Sequence, residues 1–446
     1  MYNNKPREVG ADALIAAGLD WLQRFWRTLL SGGKADRVPR LDLTRRHRPD
    51  YWITLLTLLL AIIGYVAMFS ILPAITHGNN DQSNAYMLKQ LAFLVVGVVA
   101  FVAATRLPLD VFRRYGARLF VVALVISLAL PLLGLLHVPI ARCALGACRW
   151  YRLGPLGTFQ PAELLKLGAV LFTANILATE ARRGRLNSWD TVWQVLVVLM
   201  LVMFVVVLLQ KDLGTGVAFV GITLIELVVS GMRWKYVSAA ALIILVAGVA
   251  SIIVAPHRLQ RIFTFVGSGT EETNYHINQA ILALGSGGMF GRGLGKSVQA
   301  FGWLPEAVND SIFAIWGEMI GWIGSVGLIV LFAGLLYTII RKVDYLENYY
   351  LRLVLGGIFG WLAAHVLMNI GAMTHMIPLT GITLPLVSIG GTSLVFIMLV
   401  LGMVLNISRY TTYRRVHNNG EEEERDEDFM RGRRQRRPYY TNRRGY

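Results

Sequence analysis

From Tyr51 to Ile75 the chain reads YWITLLTLLLAIIGYVAMFSILPAI, without one charged side chain. A helix rising roughly 1.5 Å per residue needs about 20 apolar residues to cross about 30 Å of hydrocarbon, so this stretch is long enough to span a membrane. Nine more apolar runs follow, near 87–105, 117–140, 164–179, 191–210, 214–229, 237–255, 312–340, 353–372 and 384–407. The expected fold is an all-α integral membrane protein, a bundle of ten transmembrane helices with a large loop at 256–311 between helices 7 and 8. Over the 446 residues 55% are hydrophobic and 16% charged, well below the charged quarter of a soluble domain.

The net charge of +16 would suggest nucleic acid in a soluble chain, but here the basic residues lie between apolar runs, and no nucleic-acid partner is expected. Basic residues are retained on the cytoplasmic side, and 33 of the 43 Lys and Arg fall on the side that holds both termini. Both termini are therefore expected to be cytoplasmic and the long loop extracytoplasmic. Two cysteines exclude a four-cysteine metal site, and eight histidines show no H-E-x-x-H spacing.

Residues 1–50 read as a cytoplasmic tail in which Leu14, Ile15, Leu19, Leu22, Phe25, Trp26, Leu29 and Leu30 recur at helical spacing. An amphipathic helix on the inner membrane surface is one reading, and a helix docked on another protein is the other. The membrane domain is placed at 51–407. Residues 408–446, acidic at 421–424 and then rich in Arg, lack the apolar residues to form a core and are expected to be a disordered basic cytoplasmic tail that can contact membrane lipid.

Polar groups are costly at membrane depth, so chemistry is sought in the outward polar segments. The first contains Arg149-Trp150-Tyr151-Arg152 and then Gln160-Pro161-Ala162-Glu163-Leu164-Leu165-Lys166, where Glu163 and Lys166 share a helix face. A helix-start ion pair is the competing reading. The second is Gln210-Lys211-Asp212-Leu213-Gly214-Thr215-Gly216, by default a turn. The third carries GSGGMFGRGLGK at 285–296, with Arg292 and Lys296, a weak phosphate-binding signal, and then Leu304-Pro305-Glu306-Ala307-Val308-Asn309-Asp310. Asp310 precedes the apolar helix, and a carboxylate half-withdrawn from water is a candidate general base; an N-cap is the alternative. The fourth segment, PLTGITLPLVSIGGTS at 378–393, includes Ser388 and interrupts apolar sequence with two prolines and three glycines, as a broken segment lining a cavity would. Cys143 and Cys148 share one outward loop. Five residues of separation around Gly146 permit the Cα spacing of about 4.4 to 6.8 Å that a disulfide needs, with two free thiols as the alternative.

Taken in this order the four segments resemble the SEDS family (shape, elongation, division, sporulation) of peptidoglycan glycosyltransferases, and its division branch more than its elongation branch. Family sequences resemble R-W-[IL]-x-L-G, Q-P-S-E-x-x-K, D-[LF]-G-T, A-L-G-S-G-G-x-x-G-x-G-L-G, L-P-E-A-H-T-D and P-L-P-F-[IV]-S-Y-G-G-S-S. This chain departs at Ala162, Lys211, Val308-Asn309 and Ile389. The resemblance implies polymerisation of lipid II into β-1,4 glycan at the outer face of the bacterial plasma membrane, at the division septum. It matches Asp310 to the essential acid and Trp150 and Lys166 to functional positions. It places Glu163, Arg292, Lys296, Glu306 and Ser388 around the substrate and leaves room for a divalent cation, Mg or Mn. Implied partners are lipid II and the nascent glycan strand, a class B penicillin-binding protein and other divisome proteins. A lipid II flippase and a non-catalytic division scaffold stay open as alternatives, as does an elongation role.

Overall fold

A computed structural model describes residues 48–412, apart from 77, 145–146, 155–156 and most of 254–270. The expected amphipathic helix in the leading tail and the basic far tail beyond 412 lie outside these residues. Eleven helices are α1 (Tyr51–Ile75), α2 (Asn80–Arg106), α3 (Leu109–Leu135), α4 (Pro161–Arg182), α5 (Trp189–Met203), α6 (Leu213–Val229), α7 (Trp234–Ile253), α8 (Glu271–Ser286), α9 (Ile312–Val343), α10 (Tyr349–Met373) and α11 (Thr392–Ile407). A π-helical turn, Phe204–Leu209, extends α5.

Among the described residues nine helices are long and apolar enough to cross a membrane; α6, the tenth apolar run, has 17 residues. Asp212 caps it, accepting from Thr215 N at 3.0 Å. Asp50, Asn79, Ser188 and Asn348 cap α1, α2, α5 and α10 in the same way. The central window of α4 is 83% buried, against 17% for α2 and for α7, so α4 runs through the middle of the bundle and the other two face lipid. The apolar side chains exposed on α1, α2 and α7, such as Leu55, Val99 and Leu245, suit hydrocarbon rather than water.

One expected boundary is corrected, and three features add to the expected fold. The run at 384–407 is helical only from Thr392, because Pro385 supplies no backbone donor and Gly390 and Gly391 break the regular backbone. The long loop contains α8. The fold is not wholly helical: β1 (Ala141–Ala144), β2 (Ala147–Arg152) and β3 (Thr158–Phe159) form a small antiparallel sheet. Packed structure also continues past 407, where Thr412 N donates to Tyr345 O at 2.7 Å and Asp50 N to Ser408 Oγ at 3.1 Å. This last contact, with the 2.6 Å Lys342–Asp50 ion pair, places both ends of the described chain at one end of the bundle.

A disulfide joins Cys143 to Cys148 across β1 and β2, with Cα atoms 4.0 Å apart, closer than expected because the pair faces across an antiparallel ladder. It lies against Gly134 of α3, where any Cβ would overlap Cys148 Sγ. α9 bends at Gly321, whose φ of 81° is a conformation glycine adopts without steric cost.

Candidate active site

The interrupted segment at 378–391 organises the end of the bundle opposite the described chain ends. Irregular backbone at membrane depth must be satisfied by protein, and several neighbours supply the partners. Ser388 Oγ accepts from Leu384 N at 2.8 Å and donates to Asn309 O at 2.5 Å. Asn369, on α10, donates to Ile382 O at 2.7 Å. Two helices approach so closely that only glycine fits: a Cβ on Gly64 of α1 would stand 2.6 Å from Leu386 O, and one on Gly214 of α6 would stand 2.7 Å from Thr380 O.

Asp310 is fixed by this segment. Its carbonyl accepts from Asn369 Nδ2 at 2.7 Å, and on the preceding residues Ile389 N donates to Val308 O at 2.9 Å. The half-buried carboxylate faces Gly381, where a Cβ would come within 3.7 Å of Oδ2. The N-cap position of α9 is Ser311, one residue later, which makes no side-chain cap hydrogen bond. Ser311 Oγ donates to Pro305 O at 2.8 Å and meets His276 Nε2 at 2.8 Å. Glu306 is exposed and accepts from Asn309 Nδ2 at 2.5 Å.

Lys166 lies on α4 with no exposed surface. Its Nζ donates to Glu163 Oε1 at 2.9 Å, meets His365 Nε2 at 3.0 Å and sits 4.7 Å from the centre of the Trp361 ring. An ammonium has only protons to offer, so His365 Nε2 accepts and Nδ1 carries the ring proton, facing Thr383 O at 3.4 Å. The helix-start pair expected at 163 and 166 is therefore buried and joined by two α10 residues. A buried ion pair stabilises little by itself, because desolvation offsets the attraction, and this favours a functional reason for keeping it.

The small sheet fixes the 210–216 turn from outside. Arg149 donates through Nε to Gln210 O at 3.1 Å and through Nη2 to Lys211 O at 2.6 Å. Asp212 Oδ2 accepts from Thr215 Oγ1 at 2.9 Å. Tyr151 anchors the sheet to α3 by donating to Ile126 O at 2.7 Å, and burial pushes its phenol above the usual range, keeping the donor proton in place. Trp150 is half-buried on β2, opposite Arg142 in the register.

The glycine-rich loop differs from an open phosphate cradle. Arg292 N donates to Glu318 O at 3.0 Å and Gly293 N to Met319 O at 2.9 Å, so the loop is laced onto the bend of α9. Below it the buried carboxylate of Glu318 accepts from Ser297 Oγ at 2.5 Å, Val298 N at 3.0 Å and Gln299 N at 3.2 Å. Arg292 Nη1 is 3.7 Å from the same carboxylate, while Lys296 stays exposed. Among the described residues no three His, Cys, Asp or Glu side chains gather as a metal site, so no step is assigned to a divalent cation.

Thus Asp310, by its backbone, and Lys166, through His365, meet the one segment that contains Ser388, with Glu163 beside Lys166, whereas Arg292 donates to Ser286 O at 3.3 Å and stands near Glu318. The sequence reading missed Trp361, His365 and Asn369, although they recur every four residues along one face of an apolar helix, and a histidine and an asparagine within such a helix are a signal in themselves. It also missed Glu318, an acid within the apolar run of α9.

Comparison with known proteins places the chain in a family. The stage V sporulation protein E of Bacillus subtilis is 32% identical over 380 residues, covering 83% of this chain and 100% of that protein. The probable peptidoglycan glycosyltransferase FtsW of Coxiella burnetii is 32% identical over 372 residues, covering 81% and 96%. A chain from a solved peptidoglycan synthase complex superposes with a TM-score of 0.63 at 24% identity over 81% of this chain and 98% of that one, a likeness of fold. The family model for the FtsW, RodA and SpoVE cell cycle proteins matches residues 51–413, and the chain belongs to that family.

Proposed function

We propose that this membrane protein polymerises lipid II, with Asp310 as general base and Lys166 as the cation that steadies the departing pyrophosphate. The observation that carries the reading is that both residues are tied to neighbouring positions of one segment: Asp310 by its backbone carbonyl through Asn369 to Ile382, Lys166 by its side chain through His365 to Thr383. A sugar hydroxyl is a poor nucleophile until its proton is removed, and a positioned carboxylate supplies that function. The acceptor 4-hydroxyl gives its proton to Asp310 and bonds to the donor's anomeric carbon from the face opposite the leaving group. The bond from that carbon to the pyrophosphate oxygen breaks, and the polyprenyl pyrophosphate departs with the electron pair. Its charge, growing in a site sheltered from water, is where a buried ammonium acts most strongly.

Trp150 offers an apolar face beside the sugars, and exposed Lys296 can meet incoming phosphate. The end bearing Asp310 faces outward and both termini lie in the cytoplasm, a reading supported by the arginines clustered at the opposite end, among them Arg106, Arg182, Arg183 and Arg185. The relatives named FtsW support a role at the division septum, and the synthase complex among the structural neighbours supports a crosslinking partner, a class B penicillin-binding protein. Purified protein reconstituted in liposomes with fluorescent lipid II tests the function. Glycan polymer is expected; transfer of label between leaflets without polymer would assign a flippase, and neither would leave a scaffold.

A further inference from the structure

Among the described residues Lys166 has one anionic partner, and that partner cannot aim it. Glu163 stands one turn away on the same helix, so their bond fixes the side chain only relative to α4. Of the groups that hold Nζ, only those of α10 tie it to a different element. Trp361 lends a ring face, which constrains distance more than direction. His365 is directional on both sides: Nε2 accepts a hydrogen bond from Lys166 Nζ at 3.0 Å, and Nδ1 faces Thr383 O at 3.4 Å. One helical turn further, Asn369 makes the matching connection, its Nδ2 donating to both Ile382 O and Asp310 O at 2.7 Å. His365 and Asn369 are both buried, 4% and 1% exposed, so water does not replace either set of bonds.

We infer that His365 is a positioning residue which, together with Asn369, sets the separation between Lys166 and Asp310. The two α10 side chains lie about 6 Å apart along the helix axis, from four residues at roughly 1.5 Å each. They grip adjoining backbone carbonyls of the interrupted segment, His365 leading to the cation and Asn369 to the backbone of the residue that carries the base. An imidazole suits this place because in its neutral form one nitrogen accepts and the other donates; an apolar ring would fill the space and leave Lys166 free to turn. This inference rests on the role given to Lys166 above.

The test compares His365→Phe, His365→Gln, Lys166→Met and the double variant His365→Phe/Lys166→Met, as full-length protein in liposomes with fluorescent lipid II. Each is also melted in detergent to establish folding, and His365→Met replaces His365→Phe if the latter does not fold. Misplacing a group by about 1 Å typically costs about 100-fold, so His365→Phe is expected to lower kcat by about that factor with KM little changed. Glutamine can accept from Lys166 and donate to Thr383 O, and His365→Gln should return most of the rate. In the Lys166→Met background His365→Phe should cost nothing further. Equal loss in His365→Gln and His365→Phe, or losses that multiply in the double variant, would overturn the positioning role while leaving that of Lys166 intact. Wild-type turnover by Lys166→Met would overturn both.

Discussion

Glu318 offers the clearest energetic prediction, because its carboxylate is 1% exposed and receives one hydroxyl and two backbone N–H groups from residues 297–299. Glu318→Ala leaves those three donors facing a space with no acceptor. Stranding a buried donor costs about 1–3 kcal/mol, and the sum for three would run from about 3 to 9. Val298 is exposed and Arg292 is 42% exposed, so water can enter once the carboxylate is gone, and the lower end, about 3 kcal/mol, is the appropriate value. The Arg292 ion pair at 3.7 Å adds little, since an exposed partner contributes about 0.2–1 kcal/mol. Opening of the loop should therefore rise by about 100-fold in Glu318→Ala, at 1.4 kcal/mol per tenfold, and less than about tenfold in Arg292→Gln. Limited trypsin digestion of proteoliposomes, followed at Lys296 by mass spectrometry, reads that population when closing outpaces cleavage. A loss of protection no greater in Glu318→Ala than in Arg292→Gln would refute the assignment of the loop's stability to these three hydrogen bonds.

Two further outcomes follow from close approaches. Gly64→Ala should place a methyl group 2.6 Å from Leu386 O and cost about 1–3 kcal/mol of overpacking, read as a lower melting temperature together with reduced polymerisation, since the displaced segment holds Asp310. Cys143 and Cys148, whose disulfide lies against Gly134, should resist an impermeant thiol reagent on unreduced cells and become labelled after treatment with a reductant; full labelling of unreduced wild type would remove the disulfide from the account.

The membrane spans were legible because twenty apolar residues in a row have few alternatives to a buried or lipid-facing helix, and each expected run overlaps a helix, nine of which are long and apolar enough to cross a membrane among the described residues. Where the reading failed, the deciding partner was distant in sequence. The composition of 285–296 suits phosphate binding and loop packing equally, and the packing is seen only in the structure, where Arg292 N and Gly293 N donate to backbone carbonyls at the bend of α9. The same holds for the strands at 141–152, too short and too interrupted to betray an alternation, yet fixed by Arg149 on Gln210 O and by the cysteine pair. Asp310 and Lys166 were recognisable one by one from their motifs. That both would be joined to adjoining residues of one broken segment, through His365 and Asn369, depends on how α10 packs and was not readable from spacing alone.

The central claim is that Asp310 removes the acceptor proton, and Asp310→Asn tests it most directly because the amide keeps size and shape while losing the basic oxygen. The measurement is the initial rate of glycan formation from fluorescent lipid II by protein whose folding is established from its melting temperature. Removing a general base typically costs about 100- to 10,000-fold, and a loss in that range with melting unchanged is the expected result. Glycan formed by folded Asp310→Asn at near wild-type rate would contradict the account and move the search to Glu306 and Asp212.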